Sequence, residues 1–311
     1  AEFSSELNNL GVRVGALEKK VSNIKFNAEL RLRYESNKDV ASAGNETLHR
    51  FRLFMTAPIN DDWTFKGRVS NEDRDFGSRN NNVTFDQGYI SGKGLGLDMI
   101  EAGRMPLALG QGLVSSTTSW DGIKVGFGKD LKTMVGVVRK AGYADGDNSS
   151  TQFTIGNMSW NATKDLNLSG SYLKDNRETT VYNTYAFGAK YTGIKDMTLS
   201  GEWGKNRAGE GSTGYYTTLK YLGADKAKEK SYGIWVGYRR ADAGFDPKDY
   251  HALDISDKFA GSKMNDVKGF EFGVEYTPFK NGMFVLQYDP LKSIDGNTNK
   301  KFFLANMYVW F

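Results

Sequence analysis

Phe302-Phe303-Leu304-Ala305-Asn306-Met307-Tyr308-Val309-Trp310-Phe311 alternates without a break. With a period of two, Phe303, Ala305, Met307, Val309 and Phe311 fall on one face of a strand. A soluble strand has little reason to carry an apolar side chain at every position of one face up to a final aromatic. If that face meets lipid, the segment is the closing strand of a membrane barrel, where outward positions are apolar and aromatic residues mark the interfaces.

Composition agrees with this reading and excludes several others. The 311 residues include 36 Gly, 5 Pro, 16 Tyr, 19 Phe and 6 Trp, a balance suited to many strands joined by tight turns. Mean hydropathy is −0.54. No apolar run approaches the ~20 residues of a spanning helix, which excludes a helical membrane protein; a barrel hides its lipid face in alternation and is not excluded. There are no cysteines, so disulfides and thiolate metal sites are absent. With 41 basic and 37 acidic residues well mixed, the net charge of +4 carries no nucleic-acid signature. The sequence begins without Met and without a signal-peptide core, and reads as a processed or truncated form.

Residues 1–24 differ in kind from the rest. Phe3, Leu7, Leu10, Val14, Leu17, Val21 and Ile24 are spaced by alternating steps of four and three, a heptad seam. Arg13 and Glu18 then occupy g and e positions that attract across chains in a parallel coiled coil. An amphipathic helix packed on its own domain is the competing reading, and Gly11 and Gly15 each weaken either helix by ~1 kcal/mol. The expected organisation is a coiled-coil stalk over 1–24 followed by a barrel over 25–311.

From Lys25 the period becomes two. Phe26, Ala28, Leu30, Leu32 and Tyr34 alternate with Lys25, Asn27, Glu29, Arg31 and Arg33. The next two segments set Phe51, Leu53 and Met55 against Arg50 and Arg52, and Trp63, Phe65 and Val69 against Lys66 and Arg68. Later segments carry Lys190, Glu202, Lys220, Arg239, Glu271 and Glu275 on the charged face. Burying so many charges in a sandwich or propeller core would cost several kcal/mol apiece, whereas a water-filled lumen removes the cost. Short connections at 59–62, 94–97, 129–130, 164–165, 193–195 and 280–282 alternate with longer ones, as turns and external loops do in such barrels, apart from a long turn at 223–230 and a short loop at 175–180. The sequence therefore predicts an all-β, transmembrane antiparallel β-barrel of about 16 strands with a short N-terminal coiled-coil helix. A barrel of that size is too wide for its wall side chains to plug.

The heptads running directly into Asn23-Ile24-Lys25-Phe26-Asn27-Ala28-Glu29-Leu30-Arg31-Leu32-Arg33-Tyr34, the Gly103-Arg104 before a long third loop, and the final Tyr-Val-Trp-Phe resemble the OmpM-type outer-membrane porins of diderm Firmicutes and, more broadly, general trimeric porins. The last ten residues also resemble the carboxy-terminal signal read by the barrel-assembly machinery, with Phe303, Met307, Val309 and Phe311 as its apolar positions. The resemblance implies a homotrimer in outer-membrane lipid and lipopolysaccharide, a stalk in the periplasm, and passive diffusion of small hydrophilic solutes and ions. It also implies a peptidoglycan-binding S-layer homology domain ahead of the stalk; that domain is absent from this sequence, so tethering belongs to a longer parent chain.

In porins the third loop folds into the barrel and narrows it. Residues 105–118 hold that position here, with Pro106, Leu107, Leu109, Gly110, Gln111, Gly112 and Leu113 as the expected constriction. An external loop is seldom so apolar. The expected basic ladder is Arg31, Arg33, Arg50, Arg52, Lys66, Arg68 and Arg104. Because the loop has no carboxylate, acidic pore residues must come from the wall: Asp86, Glu101 and Asp121 nearby, Glu202, Glu271 and Glu275 farther round. The competing readings are a non-conducting tether or adhesin barrel, and an enzyme. Catalysis has little to work with, since His49 and His251 are the only imidazoles and neither has a partner at a telling spacing. Zinc and cofactor sites are not expected. Asp246, Asp249, Asp254 and Asp257 lack EF-hand spacing and read as a solvated loop.

Overall fold

The structure, a computed structural model, describes residues 23–37, 44–74, 83–115, 119–144, 150–176, 178, 180–208, 210–246 and 264–311. The expected seam from Phe3 to Val21 lies outside these residues. Ile24 is exposed immediately before the first strand.

The first half of the chain forms β1 Lys25–Asn37, β2 Gly44–Pro58, β3 Trp63–Arg74, β4 Val83–Gly94, β5 Leu97–Pro106, β6 Ser119–Phe127, β7 Leu131–Ala144 and β8 Ser150–Asn161. The second forms β9 Leu166–Asp175, β10 Asn183–Tyr191, β11 Met197–Asn206, β12 Ser212–Leu222, β13 Tyr232–Ala241, β14 Val267–Tyr276, β15 Gly282–Asp289, β16 Leu291–Lys292 and β17 Phe302–Trp310. From β1 to β15 each strand pairs antiparallel with the next in sequence. β15 and β16 both pair with β14 in continuous register; Pro290, which has no N–H for the ladder, splits one barrel strand in two. The wall is therefore sixteen-stranded.

The ring closes where the sequence predicts. β17 pairs with β15 on one side and β1 on the other, in a register running from Glu29↔Trp310 to Asn37↔Phe302. Ala28 and Phe311 complete it, Ala28 N donating to Phe311 O at 2.7 Å and Phe311 N to Ala28 O at 3.1 Å. Closure leaves no free edge, which is what allows strands to cross lipid.

The apolar parity faces outward along the wall. Phe26, Leu32, Phe51, Phe187, Leu199, Ile234, Phe272 and Leu286 are all exposed, while Glu29, Arg31, Arg50, Arg68, Glu202 and Glu271 on the opposite parity are buried inside. Near the long-loop end an aromatic belt runs through Tyr172, Tyr185, Trp203, Tyr215, Tyr238, Phe270, Tyr288, Phe303 and Tyr34, one from each of β9 to β15, β17 and β1. Neighbouring rings touch, as in Tyr185–Trp203 at 5.9 Å, Tyr238–Phe270 at 5.3 Å and Tyr34–Phe303 at 6.2 Å between centroids. At the corresponding positions β2 to β8 carry His49, Asn71, Gly88, Arg104, Asp121, Val137 and Thr154, none of them a Tyr, Trp or Phe; Phe51 lies across from Asn71 and Phe85 beside Gly88.

Candidate pore constriction

Residues 107–115 leave the wall between β5 and β6 and cross the lumen. Leu107, Leu109, Leu113 and Val114 are fully buried in a cluster with Met105, Trp120, Val138, Phe153, Ile155 and Tyr216. Each such side chain taken out of water contributes about 1.5–3 kcal/mol, which accounts for an apolar loop inside a hydrated barrel. The segment holds its own shape through the Leu109↔Ser115 bridge and the hydrogen bond from Ser115 Oγ to Leu107 O at 2.9 Å.

Polar groups of the far wall fasten its tip. Glu202 on β11 accepts hydrogen bonds from Gln111 N at 3.0 Å and Leu113 N at 2.7 Å, both on Oε2. Asn157 on β8 accepts from Gly110 N at 2.7 Å, and Tyr216 on β12 donates its hydroxyl to Gln111 O at 2.7 Å. The Gln111 amide donates to Asn167 Oδ1 at 3.1 Å. Gly110 has φ +57, and a Cβ there would stand 1.8 Å from Glu202 Oε1, so this close approach needs glycine. Pro106, expected in the constriction, still belongs to β5, where it pairs with Ser119; the loop starts one residue later.

Wall carboxylates neutralise most of the basic ladder. Arg31 pairs with Glu72 at 3.0 Å, Arg50 with Glu29 at 2.7 Å and Glu72 at 3.7 Å, and Arg68 with Asp86 at 2.7 Å. Asp86 owes its position to a bulge: the β3–β4 register jumps from Arg68↔Gln87 to Val69↔Phe85, and the extra residue reaches the lumenal arginine. Lys124 pairs with Glu101 at 3.0 Å, and Arg33 makes a 3.5 Å pair with Glu35 and donates to Asn306 at 2.8 Å. Glu275 takes Lys220 at 2.6 Å and Glu271 takes the Trp235 indole N–H at 2.6 Å. Arg239 and Asp289, both fully buried, form a further wall pair.

Two of the expected pore residues are elsewhere. Arg104 and Asp121 are bonded bidentately, at 2.7 and 2.9 Å, directly across the β5–β6 register. They share the parity of Ile100, Ala102, Ile123 and Phe127, whereas Glu101, Lys124, Met105 and Trp120 face inward. Strict alternation thus puts both on the outer surface, not in the pore. His49 is on that surface too, 3.1 Å from Asp73.

A lumenal cavity of about 430 Å³ lies between the loop tip and the wall. Its lining includes Arg33, Gln111, Lys190, Tyr216, Lys220, Trp235, Glu271, Glu275 and Asn306. At the long-loop mouth Asp242 is bonded by the Thr213 hydroxyl at 2.6 Å and Thr213 N at 3.2 Å. Partial burial works to raise its pKa, but these bonds and Arg240 hold the carboxyl below its ordinary value.

Among the sequence-predicted residues, the structure brings together the loop from Leu107 to Leu113 with Glu202, and the inward arginines with Glu29, Glu72 and Asp86. Sequence reasoning missed the anchors Asn157 and Tyr216. Inward parity on β8 and β12 is the only signal either carries, and it does not reveal a loop arriving from another part of the chain.

No family model and no curated protein matches the chain. Among solved structures it resembles Salmonella typhi OmpF, determined in complex with daunomycin, with a TM-score of 0.65 at 13% identity over 93% of this chain and 98% of that one. A substituted variant of the Rh. blastica porin gives 0.61 at 13% identity over 93% and 100%. OmpT of Vibrio cholerae lacking its loop L8, an outer membrane protein, gives 0.60 at 12% identity over 93% and 99%. The fold is that of a porin barrel.

Proposed function

We propose that this chain is an integral outer-membrane porin, a water-filled channel for passive diffusion of small hydrophilic solutes and ions. The observation that carries the reading is the loop fastened across the lumen beside a charged, open cavity, since a narrowed aqueous path is what sets the size limit and ion preference of a channel. In a planar bilayer the protein is expected to give discrete conductance steps. Removing residues 108–113 is expected to enlarge the steps, because the narrowest segment dominates the resistance. A silent bilayer favours the competing tether or adhesin barrel, and unchanged steps after shortening overturn the constriction.

The chain is further proposed to work as a homotrimer. The break in the aromatic belt over β2 to β8, where His49–Asp73 and Arg104–Asp121 stand instead, supports a sector that faces other copies rather than lipid. Charged groups on a lipid face cost up to about 2–4 kcal/mol each near the midplane, and aromatic belts form where a wall meets the lipid interface. The finer assignment to OmpM-type porins, with residues 1–24 as a periplasmic stalk and tethering through a preceding domain, rests on the heptads and the strand-one sequence.

A further inference from the structure

We infer that the pore selects for small anions, of the chloride, phosphate and carboxylate class, and that Arg52, Lys66 and Lys190 carry the preference rather than the arginine ladder as a whole. The inference rests on the channel reading and names its solute class. Arg31, Arg50 and Arg68 each stand within ion-pair distance of a lumenal carboxylate. A closed pair presents a dipole, whose field dies away faster across an ionic solution than that of a lone charge.

Among the described residues no carboxylate lies within ion-pair distance of Arg52, and its Nε has no hydrogen-bond partner there. On the lumenal parity of β2 Arg52 stands in register between Glu29 of β1, whose carboxylate is taken by Arg50 at 2.7 Å, and Ser70 of β3. Nor has Lys66 a carboxylate partner among the described residues; its ammonium meets Ser91 Oγ at 3.5 Å and the Tyr89 ring at 5.7 Å. Lys190, exposed on the lumenal parity of β10, makes no side-chain hydrogen bond or ion pair among the described residues and lines the same cavity as Arg33 and Gln111.

Their placement adds to the effect. β2 and β3 lie half a circuit from β10 in the sixteen-stranded ring, so the lone cations face each other across the water. On the acidic side, Glu202 is spent on loop N–H groups, Glu275 on Lys220 and Asp86 on Arg68. An anion between the walls meets positive potential from both, and no carboxylate on the loop offsets it.

The test measures reversal potential across a planar bilayer under a KCl gradient, then with potassium phosphate. The wild-type channel is expected to favour the anion. R52Q/K66Q/K190Q should lower the chloride-to-potassium permeability ratio severalfold, and the single K190Q, at an exposed site, should lower it in part even if the triple variant fails to fold. R68Q/D86N, which deletes a closed pair without changing net charge, should leave the ratio near wild type. A cation-selective wild type, or conducting K190Q and triple variants with unchanged ratios, overturns the assignment while leaving the channel standing. A wild type that inserts but never conducts overturns the channel itself.

Discussion

Glu202 and Gly110 decide between them where the constriction rests. The carboxylate, 3% exposed, accepts two backbone N–H groups that would otherwise be stranded beside an apolar cluster. Hydrogen bonds to a charged group contribute about 1.5–3 kcal/mol each. Glu202→Ala is therefore expected to loosen the tip, giving noisier and larger single-channel steps, while barrel folding, read as heat-modifiable mobility, stays intact. Gly110→Val tests the same contact from the other side. It puts a branched side chain at φ +57 and against Glu202, a left-handed conformation costing about 1–2 kcal/mol before the collision is counted. Conductance indistinguishable from wild type in both variants would show that this latch does not hold the loop.

Elements were more legible in the sequence than contacts, and the reason is physical. Alternation is a local signal, so Phe26 to Tyr34 and Phe303 to Phe311 announce both their strands and their outward faces, and the closing pair β1–β17 follows. Whatever breaks strict alternation or spans the lumen was not legible. The bulge at Asp86 leaves no mark in the pattern, and β16, two residues long just beyond Pro290, is too short to show an alternation of its own. Arg104 shares the parity of Ile100 and Ala102, and that parity rather than its charge decides that it faces outward. The apolar composition of 107–115 did show that the loop seeks shelter, but not that Glu202, Asn157 and Tyr216 would receive it. The closing strand has its own test. Phe311 is 66% exposed on the outer face while its backbone completes the ladder with Ala28. Phe311→Asp keeps the hydrogen bonds but sets a charge at the lipid boundary, and folded barrel recovered from outer-membrane fractions is expected to fall sharply. Full recovery would mean that the terminal aromatic face plays no part in insertion.

At the scale of the whole molecule, the wall has two characters. From β9 round to β1 an aromatic belt marks contact with lipid; from β2 to β8 the belt gives way to ion pairs and small residues. Three copies joined through that second sector would bury Arg104–Asp121 and His49–Asp73 against protein and bring the three N-terminal segments to one axis at little further loop-closure cost. Valine at a with leucine at d leans toward two strands by itself, but the preference is soft and wall contacts should override it. Mass measurement in mild detergent is expected to give a trimer for the whole chain. Deleting residues 1–23, or introducing Leu10→Asp with Leu17→Asp, should leave the trimer intact, since the barrel walls hold it. Arg104→Glu sets two carboxylates face to face in the proposed contact and should yield folded monomers, whereas Lys205→Glu, beside the aromatic belt, should not. A whole chain that runs as a monomer defeats the trimer; loss of the trimer on removal of the first 23 residues moves the holding contact to the stalk; and a trimer indifferent to Arg104→Glu moves it to another sector of the wall.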